Sequence, residues 1–191
     1  MLSTIVLLFA ATVLARELIN GRGKLPVMGY DTYNAFERDY DGAIATAQAK
    51  VMNETGLVAL GYNTFILDDF YTELERNSSG YLVANETKFP GGMRAWTDSI
   101  NQYGMTGSIY SSNGYKTCGG YPAAYGHEMQ DLEVWREWGW TTMLKYDNCV
   151  CTDNKMFRPL QLHADSSLVP PLRQLDHGKP VWSFQAYGRC Y

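Results

Sequence analysis

The sequence is poor in the features that mark several large classes of protein. Charged residues make up 19% of the 191 positions, and 16 Lys and Arg against 20 Asp and Glu form neither a basic stripe nor an acidic tail. A nucleic-acid partner is therefore not expected, because nucleic-acid-binding surfaces concentrate Lys and Arg. The chain also lacks an apolar run near the roughly 20 residues that span a bilayer, so we expect no membrane-spanning helix and no membrane partner.

Length is a further limit. The apolar content of 46% is enough for the core of one domain. A complete (β/α)₈ barrel typically needs roughly 250 residues, so 191 residues are too few for one.

The N-terminal segment resembles a secretion signal. Residues 2–15 form an apolar run that ends in Val-Leu-Ala, a small-residue pattern suited to signal-peptidase cleavage before Arg16. Three N-glycosylation sequons begin at Asn53, Asn77 and Asn85. The sequence therefore predicts a signal peptide over residues 1–15, one domain over residues 16–191, and a secreted, extracellular protein.

Only four cysteines are present: Cys118, Cys149, Cys151 and Cys190. In an oxidising compartment we expect at least some of them to form disulfides. Cys149-Val150-Cys151 has the close spacing of a metal-binding corner, but no second closely spaced Cys or His pair accompanies it. We therefore expect no metal and no cofactor.

Short β-rich runs alternate with amphipathic helical stretches at a period of roughly 40 residues, which predicts βαβ units and a parallel sheet. The predicted strands are Val27–Tyr30, Thr64–Leu67, Thr106–Tyr110, Thr142–Tyr146 and Pro180–Phe184. The predicted helical faces are those of Ile44, Ala47, Val51 and Met52, of Met93, Trp96, Ile100 and Tyr103, and of Met129, Leu132, Trp135 and Trp138. A last helix within Ser166–Asp176 is interrupted by two prolines.

Polar and aromatic residues follow the predicted strands, where the loops of parallel α/β proteins converge. They include Tyr33, Asp68-Asp69, Tyr110, Lys145 to Cys149 and Gln185. Taken singly, each aspartate is better explained by a helix cap or turn, and each tyrosine by a place in the core or on the surface. Together they suit a sugar, since aromatic faces pack on a pyranose ring and carboxylates accept hydrogen bonds from its hydroxyl groups.

Lys145 and Asp147 lie two residues apart at the end of the fourth strand, so their side chains share one face. A neighbouring ammonium group favours the charged form of a carboxylate. We therefore expect Lys145 to keep Asp147 ionised, as the nucleophile of a double-displacement glycosidase must be.

Five ordered stretches carry a resemblance to a known family. They are PVMGYDTYNAF, ALGYNTFILDDFY, KFPGGMRAW, GSIYSSNGYKTCGGYPAAYGHE and WGWTTMLKYDNC. They resemble the catalytic barrel of the eukaryotic α-galactosidases, or melibiases, of glycoside hydrolase family 27, and most of all its secreted fungal members. The resemblance implies a partial (β/α)₈ barrel of about five βα units, and hydrolysis of terminal α-D-galactosyl residues from galactosides.

The resemblance also implies roles for individual residues. Asp147 is the expected nucleophile, and Lys145 binds a ring hydroxyl. The remaining expected substrate-binding residues are Tyr33, Asp68, Asp69, Tyr110 and Gln185. Cys118 and Cys149 correspond to a family disulfide between the third and fourth loops.

The chain departs from the family pattern at several positions. Phe70 replaces a family cysteine, and Glu37-Arg38 stand where the cysteine's partner is expected. Asp31 replaces an uncharged residue, and the tyrosines at positions 30 and 33 replace tryptophans. The family's general acid/base follows a sixth strand, in a segment expected beyond Tyr191. Three interpretations stay open: a shortened α-galactosidase, a galactose-binding remnant without chemistry, and an enzyme of α-N-acetylgalactosaminidase or β-L-arabinopyranosidase specificity.

Overall fold

The computed structural model describes residues 25–140 and 143–150, together with the backbone of Ser183–Ala186. The strands are β1 Gly29–Asp31, β2 Thr64–Leu67, β3 Thr106–Ser112, β4 Met143–Asp147 and β5 Ser183–Ala186. The helices are α1 Tyr33–Phe36, α2 Gly42–Glu54, α3 Gly92–Asn101 and α4 Glu128–Glu137. The predicted signal peptide, the predicted helix within Ser166–Asp176, Cys151 and Cys190 lie outside the described residues.

All five strands form one parallel sheet in the order β1-β2-β3-β4-β5. Sequential strands are neighbours, as successive βα units require, and this confirms the predicted α/β class and a partial (β/α)₈ arrangement. The bounds of β2 agree with the prediction, while β3 continues two residues further, to Ser112. The longer β3 carries its polar end into the candidate site.

The outer face of the sheet carries the hydrophobic core, because side chains alternate between the two faces of a strand. Phe65, Leu67, Ile109, Leu144 and Tyr146 pack outward against the helices and are buried. Indole and phenyl rings interlock edge to face above them, for example Phe65 on Trp96 and Trp96 on Trp140. Tyr110, Ser112, Lys145 and Asp147 alternate with these residues and therefore lie on the inner face.

Helix α2 forms where predicted but buries only Met52 of its predicted face. Asp41 caps its first turn by accepting a hydrogen bond from Ile44 N at 2.8 Å. The residues in contact with the core are Ala45, Ala49 and Met52, whereas Ile44 and Val51 are exposed. Small alanine side chains allow the helix axis to lie close to its neighbours, and this closeness outweighs burial of the larger side chains.

Helix α3 follows its prediction, burying Met93, Trp96 and Ile100. Helix α4 follows it in part, because Trp135 is buried but Met129 is half exposed. Gly139 ends the α4 segment in the left-handed region at φ +87°, as expected for a glycine just beyond a helix.

Four loops leave the carboxyl ends of β1 to β4, and they share one edge of the sheet because the strands are parallel. We call residues 32–41 the first loop, 68–91 the second, 113–127 the third, and 148–150 the described part of the fourth. Among the residues that the structure describes, no helix is long and apolar enough to cross a membrane.

Candidate active site

The inner face of the sheet brings the predicted polar residues to one edge. Asp31 is the last residue of β1, and Asp68 directly follows β2. In the paired register of β3 and β4, Tyr110 lies opposite Lys145 and Ser112 lies opposite Asp147. The parallel register of the strands therefore brings these groups to one edge of the sheet.

Lys145 is the centre of an ion-pair cluster. Its Nζ donates to Asp31 Oδ2 at 2.9 Å and to Asp68 Oδ2 at 2.5 Å. Nζ also lies 5.4 Å from the centroid of the Tyr110 ring, within cation–π range. Asp31 is itself oriented by the backbone, because its Oδ1 accepts from Tyr33 N at 2.9 Å. One ammonium group is thus shared by two carboxylates from different strands.

The cluster shifts two acid–base equilibria. Burial, reinforced by the negative charge of Asp31, raises the pKa of Asp68 to about 6 although Lys145 opposes the shift. Burial disfavours the charged form of Lys145 and lowers its pKa. Asp68 opposes this effect by its hydrogen bond and its negative charge, and Asp31 does so in the same two ways. The pKa of Lys145 is therefore raised above its usual value. Lys145 is therefore a cation at neutral pH.

Asp147 does not pair with Lys145, which differs from the expectation drawn from the sequence. Among the described residues, Lys145 forms ion pairs with Asp31 and Asp68, across the inner face. Asp147 Oδ2 instead lies 3.4 Å from the Tyr110 hydroxyl, and its Oδ1 accepts from Asn148 N at 2.7 Å. Proximity along β4 placed Lys145 and Asp147 on one face, but the two further carboxylates hold the ammonium group more closely.

Tyr110 acts as a hydrogen-bond donor at this position. Burial first, and then the negative charge of Asp147, raise the pKa of Tyr110 far above its usual range. The phenol therefore keeps its proton and can donate to the Asp147 carboxylate.

Asp69 faces the third loop, and its carboxylate accepts three hydrogen bonds from the protein. Its Oδ1 accepts from Thr117 Oγ1 at 2.8 Å and from Phe70 N at 2.9 Å, while Oδ2 accepts from Gly119 N at 2.8 Å. Burial raises the pKa of Asp69 although these hydrogen bonds oppose the shift. Asp69 therefore fastens the second loop to the third, and Asp68 is the member of the pair that faces Lys145.

The third and fourth loops are also joined covalently, by the Cys118–Cys149 disulfide that the resemblance implies. Ser112 reinforces the joint, because its Oγ accepts from Cys149 N at 2.8 Å. Cys118, Cys149 and Asp147 bring their ligand atoms within 4.8 Å of one another. The two sulfurs are bonded to each other, so neither offers the thiolate that a metal ion would need.

Two predicted residues lie at the margin of this cluster. Tyr33 lies in α1 directly beyond β1, with 41% of its surface exposed, and its backbone N contacts Asp31. Gln185 is paired with Lys145 in the register of β4 and β5, and its side chain lies outside what the structure describes.

Sequence reasoning missed the direct part that Asp31, Thr117 and Gly119 play in the site. Asp31 lies at the end of β1, and Asp68 directly follows the end of β2. This equivalent position could have indicated that Asp31 belongs to the site. Thr117 and Gly119 contact Asp69 across 48 and 50 residues of sequence, and no local pattern marks them.

Comparison with known proteins identifies the family of the chain. The sequence model of the Melibiase_2 family, described as alpha galactosidase A, matches residues 25–168. The chain therefore belongs to this family of glycosidases. Its similarity extends to the alpha-galactosidase of Cyamopsis tetragonoloba, with 40% identity over 131 residues, which are 68% of this chain and 32% of that protein. Alpha-galactosidase mel1 of Schizosaccharomyces pombe is 39% identical over 68% of this chain and 30% of its own.

Solved structures give the same result. Alpha-galactosidase I from Mortierella vinacea superposes with a TM-score of 0.66 at 41% identity, covering 70% of this chain and 33% of that one. The alpha-galactosidase of Saccharomyces cerevisiae solved with raffinose gives 0.65 at 37% identity, covering 69% and 28%. The chain spans about a third of the length of the curated relatives described above.

Proposed function

We propose that this chain carries the galactose-recognising and nucleophilic part of a retaining α-galactosidase site. The observation that carries the proposal is the position of Asp147 at the end of β4. Its carboxylate lies 3.4 Å from a donating Tyr110 hydroxyl and on the same inner face as the Lys145 cluster. Carboxylates at strand ends in this family's fold suit glycosyl transfer to a side-chain oxygen.

The proposed recognition uses groups whose hydrogen-bonding capacity is not exhausted. Lys145 donates two of its three ammonium protons to Asp31 and Asp68, so one proton remains for a ring hydroxyl. Asp68 accepts one bond at each oxygen, from Asp69 N and from Lys145, and each oxygen can accept another. Tyr33 at the rim offers an exposed ring for the apolar side of the sugar, and Gln185 is proposed to contact the same ligand.

The proposed chemistry is the first half of a double displacement. An oxygen of Asp147 attacks the anomeric carbon, the glycosidic C–O bond breaks, and its electron pair leaves with the aglycone oxygen, which takes a proton from solvent water or, for a stabilised leaving group, departs as an anion. Water then cleaves the resulting galactosyl ester and restores the carboxylate. The Tyr110 hydroxyl holds the Asp147 carboxylate in position by its hydrogen bond.

An activated substrate tests this step directly. A dinitrophenyl α-galactoside has a leaving group that departs without protonation, so the first half-reaction needs only the nucleophile. We expect a burst of dinitrophenolate equal to the protein concentration, followed by slower release. Mass spectrometry should find the galactosyl group on the peptide that contains Asp147.

The matched variant is Asp147→Asn, which keeps the shape of the side chain and removes its negative charge. The burst should disappear in this variant while galactose still binds by calorimetry. A burst of unchanged size in Asp147→Asn would contradict the assignment of the nucleophile.

One observation favours a second candidate, a galactose-binding protein without chemistry. Lys145 is engaged by Asp31 and Asp68 and does not support Asp147. Galactose binding without a burst from the unaltered chain would select this candidate.

We also propose that the domain is secreted. The apolar run over residues 2–15, the three sequons and the Cys118–Cys149 disulfide support export to an oxidising compartment. Production in a eukaryotic secretory host, followed by N-terminal sequencing of the released protein, should find Arg16 at the start. A protein that stays inside the cell with residues 1–15 attached would contradict the proposal.

A further inference from the structure

Phe70 follows the Asp68-Asp69 pair and has an unusual backbone conformation. Its φ is +77°, in the left-handed region that bulky L-residues rarely adopt, and its side chain is buried, with 7% of the residue surface exposed. A backbone strain of this kind persists only where the surrounding structure holds it in place. The contacts of the Phe70 ring therefore identify what holds it.

Two cations from different loops approach the Phe70 ring. Arg38 Cζ of the first loop lies 5.4 Å from the ring centroid, and Lys88 Nζ of the second loop lies 5.7 Å from it. Lys88 Nζ also lies 4.5 Å from the centroid of Tyr40 and donates to Arg38 O at 2.6 Å. A cation near an aromatic face is attracted by the quadrupole of the ring, so these contacts draw the first and second loops together.

The third loop supplies the remaining contacts. Tyr121 meets the Phe70 ring edge to face, with centroids 5.3 Å apart and an angle of 89°. Gly119 lies so close that an added Cβ would be 2.4 Å from Phe70 Cε1 and 2.8 Å from Asp69 Oδ2. Only a glycine fits there without displacing the ring or the carboxylate.

The same turn fixes the carboxylate beside it. Phe70 N donates to Asp69 Oδ1 at 2.9 Å and Gly119 N donates to Asp69 Oδ2 at 2.8 Å. Tyr40, below Lys88, donates its hydroxyl to the backbone oxygens of Asp68 and Asp69 at 2.8 and 2.7 Å. Gly119 therefore contacts both the Phe70 ring and the Asp69 carboxylate, and Tyr40 joins Lys88, which approaches the same ring, to the backbone of both aspartates.

We propose that Phe70 is a positioning residue whose ring, contacted by Arg38, Lys88, Gly119 and Tyr121, fixes the Asp68-Asp69 pair for binding a galactoside. The proposal rests on the proposed function for its ligand. It differs from a purely structural role, in which the ring would fill space and any apolar side chain of similar volume would serve.

The test compares two identical substitutions on the full chain. Phe70→Leu removes the ring but keeps an apolar side chain. Phe65→Leu makes the same change on the outer face of β2, where Phe65 packs on Tyr30 and Trp96 away from the site. We expect galactose affinity, measured by calorimetry, to fall about ten-fold in Phe70→Leu, as for loss of a hydrogen bond to a charged group. Phe65→Leu should lower the melting temperature and leave the affinity unchanged.

A spectroscopic measurement separates this proposal from the proposed function. In ¹³C NMR, the carboxyl signals of Asp68 and Asp69 should shift in Phe70→Leu and keep their positions in Phe65→Leu, with no ligand present. Failure of the unaltered chain to bind galactose would refute the proposed function alone. Unchanged carboxyl signals in Phe70→Leu, or unchanged affinity in a chain that binds galactose, would overturn the role of Phe70.

An exposed partner provides a variant that cannot fail through core disruption. Arg38→Met removes the cation and keeps the apolar stem, whereas Arg38→Lys keeps the charge. In a double-mutant cycle, Arg38→Met and Phe70→Leu should show a coupling of about two- to five-fold in the unfolding equilibrium constant, the range of an exposed cation–π pair. Arg38→Lys should retain part of it, and strictly additive effects would overturn the proposed contact.

Discussion

At the scale of single residues, the site is governed by two carboxylates that share one cation. Asp68 is nearly without solvent contact and Asp31 is partly exposed, yet both reach the ammonium group of Lys145. Burial and the charge of Asp31 together raise the pKa of Asp68 to about 6. A carboxyl group that binds its proton more tightly in the folded chain than in the unfolded chain makes stability depend on pH.

The sign of this dependence follows from the shift. Between about pH 4 and pH 6 the folded chain keeps a proton on Asp68 that the unfolded chain has released, since the unfolded value is near 3.8. The free energy of unfolding should therefore fall as pH rises through this window, by up to about 3 kcal/mol from Asp68. Urea unfolding of the unaltered chain and of Asp68→Asn at pH 4, 5, 6 and 7 measures the difference.

In Asp68→Asn this part of the decline should be absent, and above pH 7 the two stability curves should run parallel. Equal slopes in the two proteins between pH 4 and pH 6 would contradict the shift assigned to Asp68.

At the scale of elements, α4 is bound to the loops of the site by a buried ion pair. Asp131 in α4 has no exposed side-chain surface. Its two carboxylate oxygens accept hydrogen bonds from the two terminal nitrogens of Arg76, at 2.5 and 2.8 Å. The guanidinium group also donates to Gly80 O at 3.0 Å and to Ala123 O at 2.8 Å. One side chain thus joins α4 to the second loop and to the third loop, which carries Cys118.

Removing one partner of this ion pair should lower the free energy of unfolding much more than removing both. Arg76→Leu leaves the Asp131 carboxylate buried without its cation, which we expect to cost about 3 to 5 kcal/mol. The double variant with Asp131→Leu leaves no unpaired charge and should recover a large part of that loss. Chemical denaturation of the single and double variants checks this, and a double variant no more stable than Arg76→Leu would refute it.

The sequence predicts those elements whose burial is decided locally. The face of α3 was predicted because Met93, Trp96 and Ile100 are large, apolar and helically spaced. The face of α2 was mispredicted because small side chains at Ala45 and Ala49 decide how closely the helix packs.

Sequence patterns could not predict the contacts between residues that lie far apart in the chain. Burial of Asp131 depends on Arg76, 55 residues away, and no helical pattern predicts a buried carboxylate. Lys145 was assigned to its neighbour Asp147, although Asp31, 114 residues earlier, accepts one of its hydrogen bonds. The position of Asp68, Lys145 and Asp147 at strand ends could thus be predicted from the chain, whereas the pairing of these groups and the contacts of Asp31, Thr117 and Gly119 required the folded geometry.

At the scale of the whole molecule, the surface distinguishes the three sequons. Asn53 at the end of α2 and Asn77 in the second loop are exposed, whereas Asn85 is half-buried. Chain secreted from a eukaryotic host should carry glycans at Asn53 and Asn77 at higher occupancy than at Asn85. Enzymatic deglycosylation in ¹⁸O water with peptide mass spectrometry measures each site, and an occupancy highest at Asn85 would contradict this ranking.

The hydrogen bond from Lys145 to Asp31 also indicates how strongly the sheet is curved. Strands β1 and β4 are separated by β2 and β3, so a flat sheet would hold them roughly 14 Å apart. Lys145 on β4 nevertheless donates to Asp31 on β1 at 2.9 Å, which requires the inner face to be strongly concave. The ion pair between Lys145 and Asp31 therefore joins the first and fourth strands directly, across the concave face. A hydroxyl group that accepts from Lys145 or donates to Asp31 therefore binds to a contact that joins the first strand directly to the fourth.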